Sequence, residues 1–363
     1  MIVRRLWPAL ALVASLAACS GIAVPSGGSD MSDPTLPRVP SPSPTSAPDF
    51  IGLDRLVDAA RSTCTLVLRG DEVVHEHPAD SRSATRPVYS ITKSIVGVLV
   101  MMAVEDGALG LDDPVAEHVE GWPTASSEVT VGHLLAMTSG REWTEALDDA
   151  MIGAADQTAA ALAVGQQDRP GSVWRYDNLA AQVLSPVLES AVGDIEAFAR
   201  TRLFGPLGLS DTTWQRDAAG HVTTYAGIVS SCRDLARLGV MMRDRGRFDG
   251  RDLLSAASVD RLVGPSQTHN AAYGLLWWTN RPGRVVEVRR AAGFDEDRPA
   301  FEGRLAPHVP EDAFWALGWG NEFLAVVPSR GVVAVRLGPR PAGPEDLTFD
   351  RFTSAVLRGL DPR

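Results

Sequence analysis

Lysine is almost absent from this chain of 363 residues, in which Lys93 is the one lysine against 33 arginines. Arginine stays protonated in proteins, whereas a desolvated lysine can lose its proton and act as a base. The position of Lys93 is therefore informative, because it is where a neutral amine could matter. It stands three residues after Ser90, in the run YSITKS at 89–94. Codon bias and coincidence are the other explanation, so the rest of the chain has to support a role.

Basic runs are also missing, beyond paired arginines, and the formal net charge is −11. Proteins that bind nucleic acids neutralise phosphates with a concentrated basic face. The composition therefore argues against a nucleic-acid partner. With 45% hydrophobic and 22% charged residues, the chain is typical of a globular protein with a substantial core.

The apolar run near the start, residues 6–16, is too short to span a bilayer. Because Arg4 and Arg5 precede it, we interpret it as an export signal that does not fold with the domain. It ends in LAACS at 16–20, which resembles the lipobox of bacterial lipoproteins. That resemblance implies a signal peptide over residues 1–18 and a lipidated Cys19, hence an extracytoplasmic protein anchored to a membrane. A plain secretory signal is the alternative.

Cysteine is scarce, with three in the chain. If Cys19 carries the lipid, Cys64 and Cys232 remain in an oxidising compartment, and an even remainder permits one disulfide. Two buried free thiols are the alternative, because the sequence gives no distance between them.

The domain is expected to begin near residue 49. Residues 19–48 are rich in Ser, Pro and Gly and have almost nothing large and apolar to bury, which indicates a tether. Apolar spacing predicts a helix from about Phe50 to Ala60, and 65–74 predicts a hairpin around a Gly-Asp turn. Residues 94–105 are apolar on nearly every side and predict a central buried helix with Ser90 at its N-terminal end.

The middle of the domain, about 106–262, alternates helical patterns with Gly, Pro and Asp breaks, so we expect it to be mostly helical. Further elements are expected as strands at 274–278, 285–288, 323–327 and 332–335 and as a closing helix at 346–360. Together these predict an α+β domain over 49–363. Its antiparallel sheet is built from both termini, is flanked by N- and C-terminal helices, and receives a large helical insertion.

Ser90 and Lys93 can form a nucleophile and its base. A serine hydroxyl is a poor nucleophile until a base takes its proton. Positions i and i+3 share a face of a helix, and the helix N-terminus favours negative charge. The pKa of Lys93 would have to fall from about 10.4, which burial against the apolar helix would cause. A capping Ser90 with a solvated Lys93 is the alternative.

Five further segments resemble the serine β-lactamase and penicillin-binding superfamily. The similar branch contains class C β-lactamase-like hydrolases, including esterases, D-amino-acid peptidases and aminohexanoate-dimer hydrolases. In chain order the segments are GALGLDDPV (107–115), HLLAMTSG (133–140), PGSVWRYDN (170–178), FGPLGLSDT (204–212) and DLARLG (234–239). They cover almost all of 49–363, and their joint occurrence is far more specific than any one of them. The resemblance implies a β-lactamase/transpeptidase-like fold and serine chemistry with no metal or cofactor.

By this resemblance, Tyr176 and Asn178 match the Tyr-x-Asn motif of the superfamily. The tyrosine hydroxyl is expected over the nucleophile as a proton shuttle, and Asn178 is expected to orient the substrate amide. A tyrosine beside a cationic lysine is biased toward phenolate. Tyr176 is therefore the third candidate catalytic residue.

The third motif departs from the classical pattern, because a chain with no second lysine cannot carry Lys-Thr-Gly. Instead ALGWGNE at 316–322 resembles the Ala-x-Gly-x-Gly-Gly-Gln pattern of the aminohexanoate-hydrolase-like branch. Backbone N–H groups of Ser90 and Gly318 are expected to form the oxyanion hole, with Trp319 and Gly320 against the substrate. Glu322 would repel anionic ligands if it faced inward, and a surface carboxylate is the alternative.

Other residues carry weaker interpretations. His75 and His77 share a strand face with no third ligand nearby, and we interpret them as a solvated face rather than a metal site. The acidic pairs at 112–113 and 148–149 lack the spacing of a calcium loop and are interpreted as turn and surface charges. The tryptophans at 277–278 could line the acyl pocket or belong to the core.

The leading hypothesis is a membrane-tethered serine hydrolase that cleaves an ester or amide through an acyl-enzyme on Ser90. Its expected partners are a small-molecule or peptide-like substrate and, through the lipid, a membrane. One alternative is a cell-envelope lipoprotein that keeps the fold for binding or sensing without turnover. Another is a β-lactamase or D-amino-acid peptidase, disfavoured by the missing basic residue of the third motif.

Overall fold

The computed structural model of the protein describes residues 47–287, 299–341 and 347–361, all within the unit Thr45–Arg363. The expected signal peptide, Cys19 and almost all of the tether lie outside the described residues. So do Val288, at the end of one expected strand, and Asp346, at the start of the closing helix. Within the described ranges, every helix is too short or too polar to cross a bilayer.

The helices account for most of the regular secondary structure in the middle of the chain. They are α1 (Ile51–Ala59), α2 (Ile91–Glu105), α3 (Val131–Leu135), α4 (Glu145–Ile152), α5 (Gln157–Leu162), α6 (Asn178–Val192), α7 (Ile195–Ala199), α8 (Gly205–Leu207), α9 (Cys232–Arg243), α10 (Ala256–Val263) and α11 (Phe349–Leu360). A π-helical turn at Arg200–Phe204 joins α7 to α8, and short 3-10 segments lie at Val115–Glu117, Thr124–Ser126 and Pro328–Arg330.

The strands lie mainly toward the two ends of the domain. They are β1 (Cys64–Arg69), β2 (Glu72–His77), β3 (Thr85–Pro87), β4 (Thr213–Trp214), β5 (Ile228–Ser231), β6 (Arg247–Phe248), β7 (Arg251–Asp252), β8 (Trp278–Thr279), β9 (Gly283–Val285), β10 (Phe301–Gly303), β11 (Phe314–Gly318), β12 (Glu322–Val327) and β13 (Val332–Leu337).

The main sheet has six strands in the order β2-β1-β13-β12-β11-β8, and neighbouring strands run antiparallel. Strand β1 from the start of the domain pairs with β13 from its end, so that Cys64 faces Leu337. The predicted α+β class and the sheet built from both termini are therefore confirmed. The helical insertion lies between those two groups of strands.

Helices cover both faces of this sheet. Phe323 of β12 packs its ring 5.6 Å from that of Phe352 in α11. The next residue, Leu324, faces α9, where a Cβ on Gly239 would lie 2.9 Å from it. Successive residues of a strand point to opposite faces, so α9 and α11 lie on opposite sides. This explains why every residue of β12 and β13 is buried, rather than every second one, and why all of them except Glu322 and Arg336 are apolar.

Helix α2 is the central buried helix that the apolar run predicted, with Ile91–Ala103 buried throughout. Gly97 lets it approach a neighbouring segment closely, because a Cβ there would lie 3.0 Å from the carbonyl oxygen of Leu275. One turn earlier, Ser94 Oγ donates a hydrogen bond to the Leu276 carbonyl. These contacts fix the helix that carries Ser90 at its start.

The segment 274–278 differs from the prediction, because only Trp278 of this run is in a strand. Leu275 N–H bonds to the carbonyl of Leu262 and Leu276 N–H to that of Leu135, so their donors are not used in a sheet ladder. Leu276 also has a φ of +61°. The apolar run is buried because it fills a junction between helices, not because it forms a strand.

The structure joins Cys64 and Cys232 by a disulfide, with their Cα atoms 6.4 Å apart. Cys64 begins β1 and Cys232 begins α9, so the bond ties the end of the helical region to the main sheet. The bond closes a separation of 168 residues.

Candidate active site

Ser90 lies at the N-cap of α2, where the short strand β3 delivers the chain to the helix. Val88 N–H bonds to the carbonyl of Ile228, and Tyr89 turns the chain with a φ of +47°. The Ser90 side chain makes no capping hydrogen bond to the helix, so its hydroxyl remains available to other groups. The positive end of the helix dipole lies behind it and favours a developing negative charge.

Lys93 is buried beside this hydroxyl, with 1% of its surface exposed. Its Nζ lies 2.8 Å from Ser90 Oγ and donates a hydrogen bond to the Tyr225 carbonyl at 2.9 Å. Burial lowers the pKa of Lys93 to about 7, against the opposing effect of the Asp148 and Asp177 carboxylates. The amine can therefore be neutral near physiological pH, which a serine-activating base requires.

Tyr176 completes the group, buried with 8% exposure just before α6. Its phenol faces the Ser90 side chain, and Lys93 Nζ lies 4.9 Å from the centre of its ring. Burial raises the pKa of the Tyr176 phenol well above its usual value, and the Asp148 carboxylate adds to this. The expectation of a phenolate is therefore wrong, because burial penalises the charged phenol and the neighbouring lysine is itself readily deprotonated. At neutral pH Tyr176 is a protonated phenol, a group that can donate a hydrogen bond.

The motif segments 133–140 and 170–178, separate in sequence, form one wall of the site. Arg175 N–H donates to the Met137 carbonyl at 3.0 Å, and Asp177 N–H approaches Met137 Sδ at 3.4 Å. Asp177 then caps α6 by accepting from Ala180 N–H at 3.0 Å. The cap fixes where Tyr176 and Asn178 stand relative to the helix.

Asn178 is the first residue of α6, and its Nδ2 donates to Asp148 Oδ2 at 2.9 Å. Its amide oxygen, Oδ1, is buried and has no hydrogen-bond partner. The amide expected to orient a substrate is thus held by a carboxylate and retains one unused acceptor.

Asp148 is a member of the site that the sequence interpretation missed. We expected a surface charge, but the side chain is 8% exposed and is hydrogen-bonded to Asn178. Burial raises the pKa of Asp148 to about 6, while Lys93 opposes the shift. Asp148 and Met151 form the buried face of α4, whose other residues are exposed apart from the partly buried Leu147. Their i, i+3 spacing was the available signal.

Asp177 is a second buried carboxyl near Lys93, and burial raises its pKa to about 7. Arg141, itself buried, opposes this shift and donates hydrogen bonds to the carbonyls of Ala161, Leu162 and Val164. Asp177 therefore has a permanent cation nearby. Asp148 has no such cation, because it forms no ion pair with an arginine in the described part of the chain.

The third motif forms the turn between β11 and β12. Gly318 is buried against the segment before Ser90, because a Cβ on it would lie 2.4 Å from the Val88 carbonyl oxygen. This close approach requires glycine and brings the strand end beside Ser90. The turn passes through Gly320 and Asn321, both with positive φ. Strand β11 itself was not predicted as a separate element.

Trp319 at this turn is 41% exposed, and its ring meets the Tyr89 ring edge-on at 5.4 Å. Gly320 is buried, and a Cβ on it would lie 3.6 Å from atoms of Arg340. Of the two residues expected against the substrate, Trp319 is therefore the one with an accessible side chain beside the nucleophile segment.

Glu322 is neither a charge facing the cleft nor a surface carboxylate, since it is 1% exposed. Its Oε2 accepts from Gly338 N–H at 3.1 Å, and its Oε1 lies 3.6 Å from Arg86 Nε. Burial raises the pKa of Glu322 to about 8, opposed by Arg336 and Arg86. Arg336, also buried, donates to the carbonyls of Gly320 and Asn321 at 3.1 and 3.0 Å. The third-motif turn is therefore held by a buried arginine and a buried carboxylate.

Aromatic side chains back the phenol of Tyr176. Trp278 stacks on Tyr176 with ring centres 5.7 Å apart, and Tyr273 lies edge-on to both. Trp277 is fully buried against Phe314 and belongs to the core. Of the two candidate pocket tryptophans, Trp278 is thus the one that contacts a site residue.

His75 and His77 are partly buried and bonded to helix α1, at 2.7 Å from Asp54 and 2.6 Å from Asp58. No group of three or more potential metal-binding side chains with suitable geometry occurs among the described residues.

The beta-lactamase family profile matches residues 54–356. Penicillin-binding protein 4 of Amycolatopsis lactamdurans is 29% identical over 273 residues, covering 68% of this chain and 70% of that protein. The 6-aminohexanoate-dimer hydrolase of Paenarthrobacter ureafaciens is 26% identical over 281 residues, covering 65% and 70%. The crystal structure of a penicillin-binding protein homologue from Caulobacter crescentus has a TM-score of 0.61 at 16% identity, covering 87% of this chain and 99% of that one.

The solved structure supports the fold alone, whereas the family profile spans well over half of the chain. The protein therefore belongs to the beta-lactamase family, whose members are generally serine hydrolases.

Proposed function

We propose that the protein is a serine hydrolase that cleaves an ester or amide bond through an acyl-enzyme on Ser90. The observation that carries the proposal is the buried Lys93 amine, 2.8 Å from Ser90 Oγ, whose pKa is lowered to about 7. A neutral amine at this distance can accept the serine proton as the oxygen attacks.

In the proposed acylation, Ser90 Oγ forms a bond to the substrate carbonyl carbon and its proton passes to Lys93 Nζ. The tetrahedral oxyanion accepts hydrogen bonds from the backbone N–H groups of Ser90 and Gly318. Tyr176, protonated and facing Ser90, donates a proton to the leaving oxygen or nitrogen and recovers one from Lys93. The bond to the leaving group breaks and the acyl group remains on Ser90.

In the proposed deacylation, water attacks the acyl carbon and gives its proton to the Lys93 and Tyr176 pair. Ser90 Oγ then leaves, taking a proton back, and the acid is released. The steps balance without a metal ion or a cofactor, and none is part of the proposal.

We further propose that the chain is exported, cleaved after residue 18 and anchored through a lipid on Cys19, with residues 19–48 as a tether. The support is the lipobox-like run at 16–20. Metabolic labelling with an alkyne fatty acid should mark the wild-type protein and not Cys19→Ala. Equal labelling of the two would refute the anchor.

Incubation with a fluorophosphonate tests the nucleophile. The wild-type protein should gain one adduct on Ser90 by peptide mass spectrometry, and Ser90→Ala should gain none there. Both proteins should show the same circular dichroism and melting temperature. An unlabelled Ser90 in the folded protein would overturn the proposed mechanism.

A substrate panel separates the remaining possibilities. Turnover of p-nitrophenyl esters that is lost in Ser90→Ala would support the hydrolase. A stable adduct with no product release would favour the binding alternative, and rapid turnover of nitrocefin would favour a β-lactamase.

A further inference from the structure

Two tyrosine rings face the Lys93 amine. Lys93 Nζ lies 4.9 Å from the centre of the Tyr176 ring and 5.7 Å from the centre of the Tyr225 ring. Tyr176 comes just before α6 and Tyr225 lies between β4 and β5, so the rings belong to separate segments of the chain. The face of an aromatic ring attracts a cation that lies within about 6 Å of its centre. Both rings are therefore close enough to stabilise a protonated Lys93.

Tyr225 also contacts this amine through its backbone. Its carbonyl oxygen accepts a hydrogen bond from Lys93 Nζ at 2.9 Å, and Ser90 Oγ lies 2.8 Å from the same nitrogen. A carbonyl can only accept, so it holds an N–H of the amine whether Lys93 is charged or neutral. In the neutral amine this leaves the lone pair for the Ser90 hydroxyl.

The side chain of Tyr225 is fixed and uncharged. It is 6% exposed, and its phenol faces the Gln157 side chain at the start of α5. Gln157 is held in turn, because its N–H bonds to Asp217 Oδ2 at 2.9 Å and its Nε2 to the Ile152 carbonyl at 3.0 Å. Burial raises the pKa of Tyr225 to about 12, and Asp148 and Asp217 add to this. The ring therefore presents its face to the amine without adding a charge.

Two carboxyls, two phenols and the Ser90 hydroxyl face Lys93. The carboxyls and phenols are Asp148 of α4, Asp177 at the N-cap of α6, Tyr176 before α6 and Tyr225 before β5. Burial lowers the pKa of Lys93 to about 7, and the carboxylates oppose this. Burial also raises the pKa of Asp148 to about 6 and that of Asp177 to about 7. The carboxyls attract the ammonium less as they become protonated, whereas the Tyr225 ring keeps its attraction.

We propose that Tyr225 is a positioning residue of the active site, whose carbonyl directs the Lys93 lone pair at Ser90 and whose ring stabilises the ammonium that acylation creates. In that step the Ser90 O–H bond breaks and an N–H bond forms on Lys93, so positive charge appears 5.7 Å from the ring centre. Both effects act through Lys93, and neither requires contact with the substrate. The inference rests on the proposed hydrolase function.

The single lysine makes the effect of the ring directly measurable. Lysine labelled with 13C at Cε gives one side-chain signal in this chain, provided that the purification tag contains no lysine. Its chemical shift, followed against pH, reports the protonation of Lys93. Tyr225→Phe keeps the ring and should titrate near pH 7, like the wild-type protein. Tyr225→Met fills the space without a ring, so the charged form loses a contact and the midpoint should fall by about half a pH unit or more.

Phe352→Met is the matched control. The Phe352 ring is fully buried and packs against Phe323, and it is not one of the rings that face Lys93. Its loss should leave the Lys93 titration unchanged. If circular dichroism shows that Tyr225→Met is unfolded, Tyr225→Leu serves the same comparison.

Two results would overturn the role of the ring. A midpoint in Tyr225→Met that equals or exceeds the wild-type value would mean that the ring only fills space or shields the amine from water. An equal fall in Tyr225→Phe would assign the effect to the hydroxyl instead.

Turnover separates this inference from the proposed function. For a p-nitrophenyl ester, the decrease of kcat/KM at low pH should move to lower pH in Tyr225→Met and stay in place in Tyr225→Phe. If no ester is hydrolysed and Ser90 is not labelled, yet the Lys93 midpoint falls in Tyr225→Met, the hydrolase proposal fails and the ring contact stands. If turnover depends on Ser90 but Tyr225→Met leaves the Lys93 midpoint unchanged, the role of Tyr225 alone is refuted.

Discussion

Glu322 and Asp148 are both buried carboxylates, one beside the third-motif turn and the other beside Lys93, and their neighbours differ in kind. The charge of Glu322 is opposed by Arg86 and Arg336, and Arg336 stays charged at neutral pH although burial lowers its pKa to about 10. Asp148 faces a lysine whose pKa lies near 7 and an asparagine with an unused acceptor. A carboxylate whose charge is always balanced by arginine can hold a turn in place. A carboxylate beside a lysine that can lose its proton is suited to a site where protons are transferred.

The largest effect on activity is expected when the cation beside Asp148 is made permanent, as the cations beside Glu322 are. Lys93→Arg keeps the positive charge but removes the ability to become neutral, so kcat/KM for a p-nitrophenyl ester should fall by about three orders of magnitude or more. Fluorophosphonate labelling of Ser90 should slow in parallel, and circular dichroism should show that the variant is folded. Near wild-type activity would mean that the amine is not the base.

Arg336→Met removes the buried cation at the third-motif turn. It leaves the buried carbonyls of Gly320 and Asn321 without their donor and Glu322 without its opposing charge, so the free energy of unfolding should fall by about 3–5 kcal/mol in urea titrations. Adding Glu322→Leu should restore part of this loss, with a coupling of about 1 kcal/mol or more in the double-mutant cycle. Strictly additive effects would show that the two side chains do not interact.

The pH profile should distinguish the two carboxylates. Because Lys93 must be neutral to act as a base, kcat/KM should decrease as the pH falls through about 7. Asp148 raises the pKa of Lys93, so Asp148→Asn should move this decrease to lower pH. Glu322→Gln should leave it in place. If the pH dependence of kcat/KM is the same in Asp148→Asn as in the wild-type protein, Asp148 does not affect the pKa of Lys93.

The smallest effect is expected on the free energy of unfolding when Asp148 is replaced by asparagine. Burial raises the folded-state pKa of Asp148 above 3.8, so the ionised carboxylate destabilises the fold at pH 8. Asp148→Asn should therefore raise the free energy of unfolding by about 1 kcal/mol at pH 8. The gain should shrink as the pH falls through about 6, where the wild-type carboxyl becomes protonated in the folded state. A loss of several kcal/mol would give Asp148 a structural role like that of Glu322.

Local spacing was enough to predict the part of the site carried by one helix. Ser90 and Lys93 lie one turn apart, and the apolar run that follows predicted the burial that lowers the lysine pKa. The sheet was also predictable in outline, since apolar runs at both ends of the domain had to pair. The start of α2 at Ile91 rather than Ser94 is an ordinary boundary difference.

The environment of the carboxylates could not be predicted in the same way, because it depends on which helices meet. Asp148 belongs to a helix that is mostly exposed, and its buried side faces α5 and α6. Glu322 is buried because β13 places Arg336 nearby, a relation between residues 14 positions apart in sequence. The phenolate expectation for Tyr176 failed because it counted the lysine charge and left out the cost of burying a phenolate.

The bond between Cys64 and Cys232 bears on how the protein is prepared. Cytosolic expression keeps thiols reduced, and the start of α9 would then be joined to β1 by packing alone. Material directed to an oxidising compartment, or refolded with a glutathione redox buffer, should be the more heat-resistant preparation. The choice of expression host therefore decides which form of the domain reaches the assay.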